Sequence, residues 1–317
     1  MSQISSNILL SDFSSYKIGG PAKYFAEATS VEDLTDILNQ WREIAKDSQV
    51  ADRVFILGGG TNVLIDDRGY DGLVILNKIK YIKLDNSQIR VGAGVLIEDV
   101  LNFCIENSLS GLEWAGGLPG TIGGAVRGNA GAFGGETKDL VFEVASLDSK
   151  TLEINKRNNS ESRFGYRNSF FKKNPNEIIT EVTLDLKTGN REEIEKQINE
   201  KIEYRRQRHP NITDQPNIGS TFKNIPAEIL PESVLEEFKE KIKTDPFPVL
   251  PVVKLISGTG LTGERVGDIM VSPMHPNYLV NVGNGSSRDV LSLVAKIKDR
   301  VNEKYAVKIE EEVSYIS

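Results

Sequence analysis

Residues 111–134 read GLEWAGGLPGTIGGAVRGNAGAFG, and this segment constrains the architecture more than any other part of the chain. Ten of the 28 glycines lie between Gly111 and Gly135. Because each glycine costs about 0.5–1 kcal/mol inside a helix or strand, the segment is not expected to be an ordinary helix or a central strand. From Trp114 onward it is apolar between its glycines and carries one charged residue, Arg127, whereas a flexible linker would be more polar. We therefore predict a structured loop that cradles a large, flat ligand.

A shorter glycine loop, LGGGTNVL at residues 57–64, lies about 50 residues upstream and follows the apolar residues 54–56. Three consecutive glycines leave successive N–H groups unshielded, and such a nest can hold a phosphate or pyrophosphate. The loop has neither the Gly-Lys-Ser/Thr of a P-loop nor the G-x-G-x-x-G pattern. A plain glycine turn is the alternative for this loop taken alone.

A third glycine motif, GTGLTG at residues 258–263, does match G-x-G-x-x-G. The residues that follow it, 264–267 and then Pro273, do not continue a helix well. No acidic residue stands about 20 positions further on, as a dinucleotide-binding fingerprint requires. A turn with packing glycines is therefore favoured over a Rossmann motif.

Composition excludes several classes of protein. The chain has 317 residues, enough for roughly two domains, and its net charge of −7 disfavours broad polyanion binding. One cysteine, Cys104, cannot form an internal disulfide, and with only two histidines no metal site is expected. No apolar run reaches the ~18 residues of a membrane span, and no signal-peptide pattern is visible. We expect a cytoplasmic monomer that binds neither nucleic acid nor membranes, with an organic cofactor if it is an enzyme.

Helices and strands alternate irregularly, which predicts an α+β fold. Apolar spacing predicts helices after Ser30, after Ile97 with Cys104 in the core, over Arg191–Arg206, and from about Ser287. Strands are predicted at residues 54–57, 73–76, 88–91, 142–147, 151–155, 178–186, 278–282 and 307–316.

The two glycine loops, in this order, resemble those of the UDP-N-acetylenolpyruvoylglucosamine reductase (UDP-N-acetylmuramate dehydrogenase) family. The resemblance covers nearly the whole chain and looks like the shorter subtype, because no long insert separates Leu186 from Arg191. It continues through five further motifs, at residues 16–22 (YKIGGPA), 164–169 (FGYRNS), 219–224 (GSTFKN), 272–277 (SPMHPN) and 310–313 (EEEV).

The resemblance implies a two-lobed FAD-binding domain of the p-cresol methylhydroxylase/vanillyl-alcohol oxidase type. This domain would span residues 1–188, with lobes of about 1–77 and 78–188. A C-terminal α+β substrate-binding domain would cover 189–305, and a final strand, 306–317, would return to the flavin.

The resemblance also implies the cofactor and its contacts. The first glycine loop would hold the FAD pyrophosphate, and the second would lie along the isoalloxazine and ribityl groups. The implied cofactor-binding residues are Gly58, Gly59, Gly60, Thr61, Asn62, Gly117, Pro119, Gly120, Thr121, Gly123, Gly124, Asn129, Ala130 and Gly131.

Members of the family act in peptidoglycan precursor synthesis and reduce an enolpyruvyl ether on UDP-N-acetylglucosamine to a lactyl ether. NADPH supplies a hydride through FAD, and an enolate-like charge develops beside the substrate carboxylate. Such chemistry needs fixed donors for the charge and an acid that protonates the carbon.

Three residues match the family's catalytic positions. Ser220 matches the proton donor, Arg167 matches the electrophilic arginine, and Glu312 matches the glutamate that flanks the same carbon. A carboxylate beside an enolate would repel it, so we expect Glu312 to be hydrogen-bonded, with its pKa raised. The alternatives are an ordinary loop serine for Ser220, a surface ion pair for Arg167, and one member of the acidic run 310–312 for Glu312.

The resemblance implies substrate contacts at Tyr166, Arg208, Lys223 and Asn224. Arg208 would face the substrate phosphates, although a basic helix end that complements the helix dipole is nearly as well supported. His275 fits a family motif, but no role follows from it.

The chain departs from the family pattern at a few positions. Ser314 replaces the usual arginine after Glu-Val, Ser317 replaces the closing glycine, Pro226 is displaced by one residue, and Arg127 stands where methionine is common. Two other functions remain open from the sequence. They are a different flavin oxidase or dehydrogenase of the same superfamily, and a nucleotide-binding module without catalytic activity.

Overall fold

The computed structural model describes residues 3–244 and 247–317. The chain divides into two compact units. The first unit comprises the chain up to Ile8 with residues 22–59 and 71–205, and the second comprises residues 9–21, 60–70 and 206–317. The two units are defined by contacts within each unit and not by ligand binding. The predicted domain boundaries, 1–188, 189–305 and 306–317, therefore stay a prediction.

The α-helices are α1 (Val31–Ala45), α2 (Ile97–Glu106), α3 (Ile122–Gly128), α4 (Phe170–Lys173), α5 (Arg191–Arg208), α6 (Glu232–Glu237), α7 (Val252–Gly258) and α8 (Ser287–Tyr305). The strands are β1 (Ser5–Leu9), β2 (Pro21–Ala28), β3 (Val54–Leu57), β4 (Val63–Ile65), β5 (Tyr70–Asn77), β6 (Ile82–Asp85), β7 (Gln88–Gly92), β8 (Leu109–Ser110), β9 (Gly131–Ala132), β10 (Gly135–Glu136), β11 (Val141–Asp148), β12 (Ile154–Asn158), β13 (Glu177–Asp185), β14 (Lys187–Thr188), β15 (Ile225–Pro226), β16 (Val249–Leu250), β17 (Arg265–Val266), β18 (Ile269–Val271), β19 (Leu279–Asn281) and β20 (Ser314–Ile316).

A four-stranded sheet in the order β1-β2-β5-β3 lies in the first unit, where β3 and β5 run parallel. The side chain of Ser30 accepts a hydrogen bond from the Asp33 amide and so begins α1, as the sequence predicts. Helix α1 buries its apolar face, and the Trp41 indole donates to the Ala51 carbonyl over 3.0 Å. The turn after β3 is the first glycine loop.

A five-stranded antiparallel sheet in the order β12-β11-β13-β7-β6 also lies in the first unit. Its core includes residues from α2, α3 and the start of α5. Cys104 lies in this core, as predicted, and burial raises the pKa of its thiol to about 12. The second glycine loop contributes Trp114, Ala115, Ile122, Ala125 and Val126 to this core.

In the second unit, α7 and α8 share one hydrophobic core with the antiparallel sheet β17-β18-β19. The C-terminal strand β20 pairs in parallel with β4, with Ser314 opposite Val63. Among the described residues, no helix is both long and apolar enough to cross a membrane.

The predicted α+β class is confirmed, but two local predictions are wrong. The second glycine loop contains a helix, α3, because Thr121 caps it and Gly123 allows it to lie against Ala93. The predicted strand 307–316 is a strand only at Ser314–Ile316. Val307 and Ile309 are buried in the core of the second unit, so the alternation there reflects burial rather than strand pairing.

The third glycine motif is a turn, as predicted. Helix α7 ends at Gly258, and Gly260 and Gly263 follow with φ of 74° and 81°. This left-handed conformation suits glycine and continues no helix.

Candidate active site

The two glycine loops pack backbone against backbone in the first unit. A Cβ added to Gly59 would lie 2.9 Å from the Gly120 Cα, and one added to Gly58 would lie 2.7 Å from the Thr121 Oγ1. Both distances are shorter than normal contacts of a carbon atom, so the loops can approach this closely only because residues 58 and 59 have no Cβ. The result is a cradle of exposed peptide groups, which suits a large planar or phosphate-bearing ligand.

Helix α3 lies inside the second glycine loop and holds it against the neighbouring chain. The Thr121 hydroxyl accepts from the Gly124 amide over 3.3 Å, and the Gly123 amide donates to the Ala93 carbonyl over 3.0 Å. A Cβ on Gly123 would lie 2.9 Å from the Ala93 Cβ, so glycine is what lets α3 sit against the sheet. Helix α3 is thus fixed to the first unit through Ala93.

Asn129 ends α3 in a left-handed conformation and is fully buried. Its Nδ2 donates to the Gly165 carbonyl over 3.0 Å, and its Oδ1 accepts from the Lys138 amide over 3.0 Å. Both atoms of the amide therefore bind backbone and connect the second glycine loop to the turn that carries Arg167.

Arg167 lies against the second glycine loop. Its Nη2 donates to the Gly131 carbonyl over 3.1 Å, and its guanidinium lies 5.2 Å from the centre of the Tyr166 ring. Arg167 has φ of 52°, and its own carbonyl accepts from the Lys172 ammonium over 3.0 Å. A left-handed non-glycine residue is strained, and such strain clusters at functional sites. The structure thus brings a predicted catalytic residue and a predicted substrate residue to the predicted cofactor loop.

The rest of the first glycine loop belongs to the second unit. Gly60 has φ of 63°, and a Cβ there would overlap the Phe13 carbonyl oxygen. The Asn62 carbonyl accepts from the Ser314 amide over 3.1 Å, directly before β4 pairs with β20. The C-terminal segment is therefore fixed beside Thr61 and Asn62, and Ser314 takes part through its backbone.

Ser220 and Glu312 lie on neighbouring extended segments of the second unit. Phe222 forms an antiparallel bridge with Glu311, and the Glu312 amide donates to the Thr221 carbonyl over 2.8 Å. Ser220 itself bridges to Tyr278 on the other side. Glu312 is thus hydrogen-bonded to the residue that follows Ser220 in the chain, and both predicted catalytic residues belong to this small ladder.

The predicted substrate residues of the second unit are Lys223 and Asn224, which follow Ser220 closely in the chain, and Arg208. Lys223 pairs with Glu310 over 3.0 Å, and its amide donates to the Glu310 carbonyl. The Asn224 Oδ1 accepts from the Val252 amide over 3.2 Å at the start of α7. Arg208 is exposed at the last residue of α5.

Two family models match the chain. The model described as the C-terminal domain of UDP-N-acetylenolpyruvoylglucosamine reductase matches residues 210–316, and the model described as an FAD binding domain matches residues 22–151. The reductase of Clostridium novyi is 32% identical over 99% of this chain and 92% of its own length. The chain belongs to the UDP-N-acetylenolpyruvoylglucosamine reductase family.

Further members of the reductase family are similar to this chain over nearly its whole length. The reductase of Caldicellulosiruptor saccharolyticus is 34% identical over 97% of this chain and 90% of its own length. The crystal structure of the Thermus caldophilus reductase aligns with a TM-score of 0.76 and 29% identity, and the alignment covers 100% of both chains. The FAD-dependent oxidoreductase assignment made from the motifs is therefore confirmed.

The residues of this reductase fit FAD. The cofactor would lie where the two glycine loops meet, because a Cβ at Gly58 or Gly59 would fill the contact between them. The individual cofactor residues stay predictions, and they comprise Gly58 to Asn62, Gly117, Pro119 to Thr121, Gly123, Gly124 and Asn129 to Gly131.

Sequence reasoning missed one contact of the reductase's second loop. The Arg205 Nε donates to the Gly116 carbonyl over 2.9 Å, and the Arg205 guanidinium lies 5.2 Å from the centre of the Phe133 ring. Helix α5 therefore holds both ends of the loop. Gly116 and Arg205 are 89 positions apart in the chain, so local spacing gave no signal of this contact.

Proposed function

We propose that this reductase converts the enolpyruvyl ether of UDP-N-acetylenolpyruvoylglucosamine into the lactyl ether of UDP-N-acetylmuramate in peptidoglycan precursor synthesis. NADPH is the proposed reductant and FAD the cofactor. Family membership supports the reaction, and one observation supports the cofactor site, namely the backbone contact between Gly59 and Gly120 at the meeting of the two glycine loops.

FAD, when bound, supplies the hydride chemistry for which side chains have no equivalent. Reduction of the vinyl group also needs a proton on carbon and a stabilised charge on the adjoining carboxylate. These two tasks fall to side chains of this chain.

Arg167 is proposed to bind the substrate carboxylate. A guanidinium presents a planar fork of donors, so it can hold a carboxylate and stabilise the enolate charge that spreads into it. The hydrogen bond from Lys172 to the Arg167 carbonyl and the Tyr166 ring limit the freedom of this turn before substrate arrives. Such preorganisation reduces the reorganisation that the reaction requires.

Ser220 is proposed to donate its hydroxyl proton to the substrate carbon. A serine hydroxyl is a weak acid, so it donates well only when its position relative to the carbon is fixed. The backbone pairing of Ser220 with Tyr278 and of Thr221 with Glu312 limits the movement of this serine, which supports the proposed role. Glu312 is proposed to flank the same carbon, where a hydrogen-bonded or protonated carboxyl would avoid repulsion by the enolate.

Four residues are proposed to bind the rest of the substrate. Arg208 and Lys223 supply positive charge for the diphosphate, and the Lys223 pair with Glu310 is partly exposed and can exchange partners. Tyr166 and Asn224 complete the proposed set.

The organisation of the protein is proposed as follows. The FAD-binding domain spans residues 1–188, the substrate domain spans 189–305, and residues 306–317 return to the flavin. The reductase is proposed to act as a cytoplasmic monomer.

The test measures NADPH oxidation by the FAD-loaded protein with and without the enolpyruvyl sugar nucleotide. We expect oxidation that depends on the sugar nucleotide. Replacement of Ser220 by alanine should spare flavin reduction by NADPH, seen as loss of visible absorbance, and should slow the later reoxidation by substrate. Oxygen-dependent oxidation that ignores the sugar nucleotide would instead identify an oxidase, and no turnover at all would identify a binding module.

A further inference from the structure

The motif at residues 272–277 forms a tight turn whose function the reaction chemistry does not explain. The Ser272 amide donates to the Tyr278 carbonyl over 2.9 Å, and the Tyr278 amide donates to the His275 carbonyl over 2.8 Å. The Ser272 hydroxyl accepts from the Met274 and His275 amides. Ser272 is fully buried, so the turn is fixed at its base.

Asn277 clamps the chain directly after Ser220. Its Nδ2 donates to the Phe222 carbonyl over 2.9 Å, and its Oδ1 accepts from the Phe222 amide over 3.0 Å. The backbone carbonyl of Asn277 also accepts from the Thr221 amide over 2.8 Å. The side-chain amide thus acts as a neighbouring strand would, and because Asn277 is 4% exposed, water has little access to replace it.

Tyr278 is the direct bridge partner of Ser220. Residues paired in this way present their side chains to the same face, with Cβ atoms roughly 4.5–5.5 Å apart. The tyrosine ring therefore lies on the face from which the Ser220 hydroxyl projects.

Both histidines of the chain pack on the Tyr278 ring. His209 stacks on it with centroids 5.3 Å apart, and His275 meets it edge-on at 4.9 Å. The Tyr278 hydroxyl also lies 3.4 Å from the His209 Nδ1. Burial, aided by Lys243, lowers the pKa of His275 to about 4, so this imidazole is neutral at neutral pH and packs as an apolar ring.

We propose that Asn277 and Tyr278 are positioning residues that hold the Ser220 hydroxyl in place for proton donation. Asn277 fixes the backbone after Ser220. Tyr278 packs with both imidazoles in a cluster of three mutually contacting rings, in which the histidine centroids are 5.1 Å apart, and so fixes the backbone beside Ser220. This inference rests on the proposed role of Ser220. A displacement of about 1 Å at a reacting group can slow a reaction roughly 100-fold, so the clamp acts on rate rather than on affinity.

The main test replaces Asn277 by aspartate, which has nearly the same shape. Aspartate keeps an acceptor for the Phe222 amide but turns an oxygen toward the Phe222 carbonyl. We expect reoxidation of the reduced flavin by the enolpyruvyl substrate to slow about 10- to 100-fold. The KM for this substrate and the rate of flavin reduction by NADPH should change less than about twofold. The matched control is Met274→Ala, because Met274 lies in the same turn, is 52% exposed and bonds the Ser272 hydroxyl through its backbone amide, which alanine retains.

Tyrosine variants supply the second arm. Tyr278→Phe keeps the ring that packs against both histidines and should keep the rate within about threefold, whereas Tyr278→Ala should slow reoxidation about tenfold or more. This rescue by a conservative variant separates positioning from a direct role of the hydroxyl. Equal loss of both half-reactions, or a rise in KM with an unchanged rate, would overturn the proposal.

Amide hydrogen exchange gives a readout that does not depend on turnover. Asn277→Asp should speed exchange at Thr221 and Phe222 and leave α8 unchanged. If NADPH oxidation by the wild-type protein did not depend on the sugar nucleotide, the proposed function would be wrong. Hydrogen exchange would still test whether Asn277 fixes the backbone at Thr221 and Phe222. Unchanged exchange in a folded variant would refute the clamp itself, and if Asn277→Asp does not fold, Tyr278→Ala is measured in the same way.

Discussion

Replacement of Gly59 by alanine should weaken FAD binding while leaving the first unit folded. The new Cβ would lie 2.9 Å from the Gly120 Cα and 3.4 Å from the Gly120 carbonyl carbon. Neither atom is on a side chain that can rotate away, so the loops must separate by about 0.6 Å to reach the ~3.5 Å at which two carbons attract. Overpacking of this kind costs about 1–3 kcal/mol.

This free-energy cost should appear as weaker FAD binding rather than as lower stability. In the free protein the two loops can move apart, whereas bound FAD requires their original spacing. One to three kcal/mol corresponds to roughly 5- to 150-fold weaker FAD binding. The assay titrates apoprotein with FAD and follows quenching of flavin fluorescence, and urea unfolding of the same apoprotein measures stability separately.

The matched control is Gly128→Ala at the end of α3. A Cβ there would meet nothing within 4 Å, and alanine favours the helix, so FAD affinity should remain as in wild type. Unchanged FAD affinity in Gly59→Ala, or an equal loss in Gly128→Ala, would refute the inference that contact between the loops shapes the cofactor site.

Three further predictions concern groups away from the cradle. Burial lowers the pKa of His275 to about 4 from an ordinary 6.5, so the unfolded chain binds the proton before the folded chain does. The free energy of unfolding should therefore be highest above about pH 6.5 and should fall as the pH is lowered toward 4. Urea unfolding at several pH values should show a smaller fall for His275→Gln than for the wild type. The Cys104 thiol, with its pKa raised to about 12 by burial, should resist a thiol-specific reagent in the native protein and react fully in denaturant, and rapid native labelling would contradict its burial. Ser30→Ala should cost about 0.5–2 kcal/mol of unfolding free energy through loss of the α1 cap, whereas an equal loss in Ser48→Ala would mean that capping is not the cause.

Local patterns in the sequence were reliable where a single element decides the outcome. The Ser30 cap, the apolar face of α1 and the burial of Cys104 all follow from spacing along one helix. The same reasoning failed at residues 307–316, where alternating apolar residues enter a core instead of a sheet. Periodicity reports that a side chain is buried, but it does not report what covers it.

The predicted site shows the same limit. Motifs identified the glycine loops and the candidate residues Arg167, Ser220 and Glu312, but they gave no contact between them. The hydrogen bond from Arg167 to Gly131 joins residues 36 positions apart, and the clamp of Asn277 on Phe222 joins residues 55 positions apart. Nothing in local spacing encodes either pairing.

By itself the sequence determined the kind of ligand and the family, because bare glycine backbone and short motifs carry that chemistry wherever they are placed. Only the tertiary structure decided which backbone groups meet, for example Gly59 with Gly120 and Glu312 with Thr221. The physical reason is that these contacts depend on strand order and register, which are set by the burial of whole cores and not by the residues that make the contact.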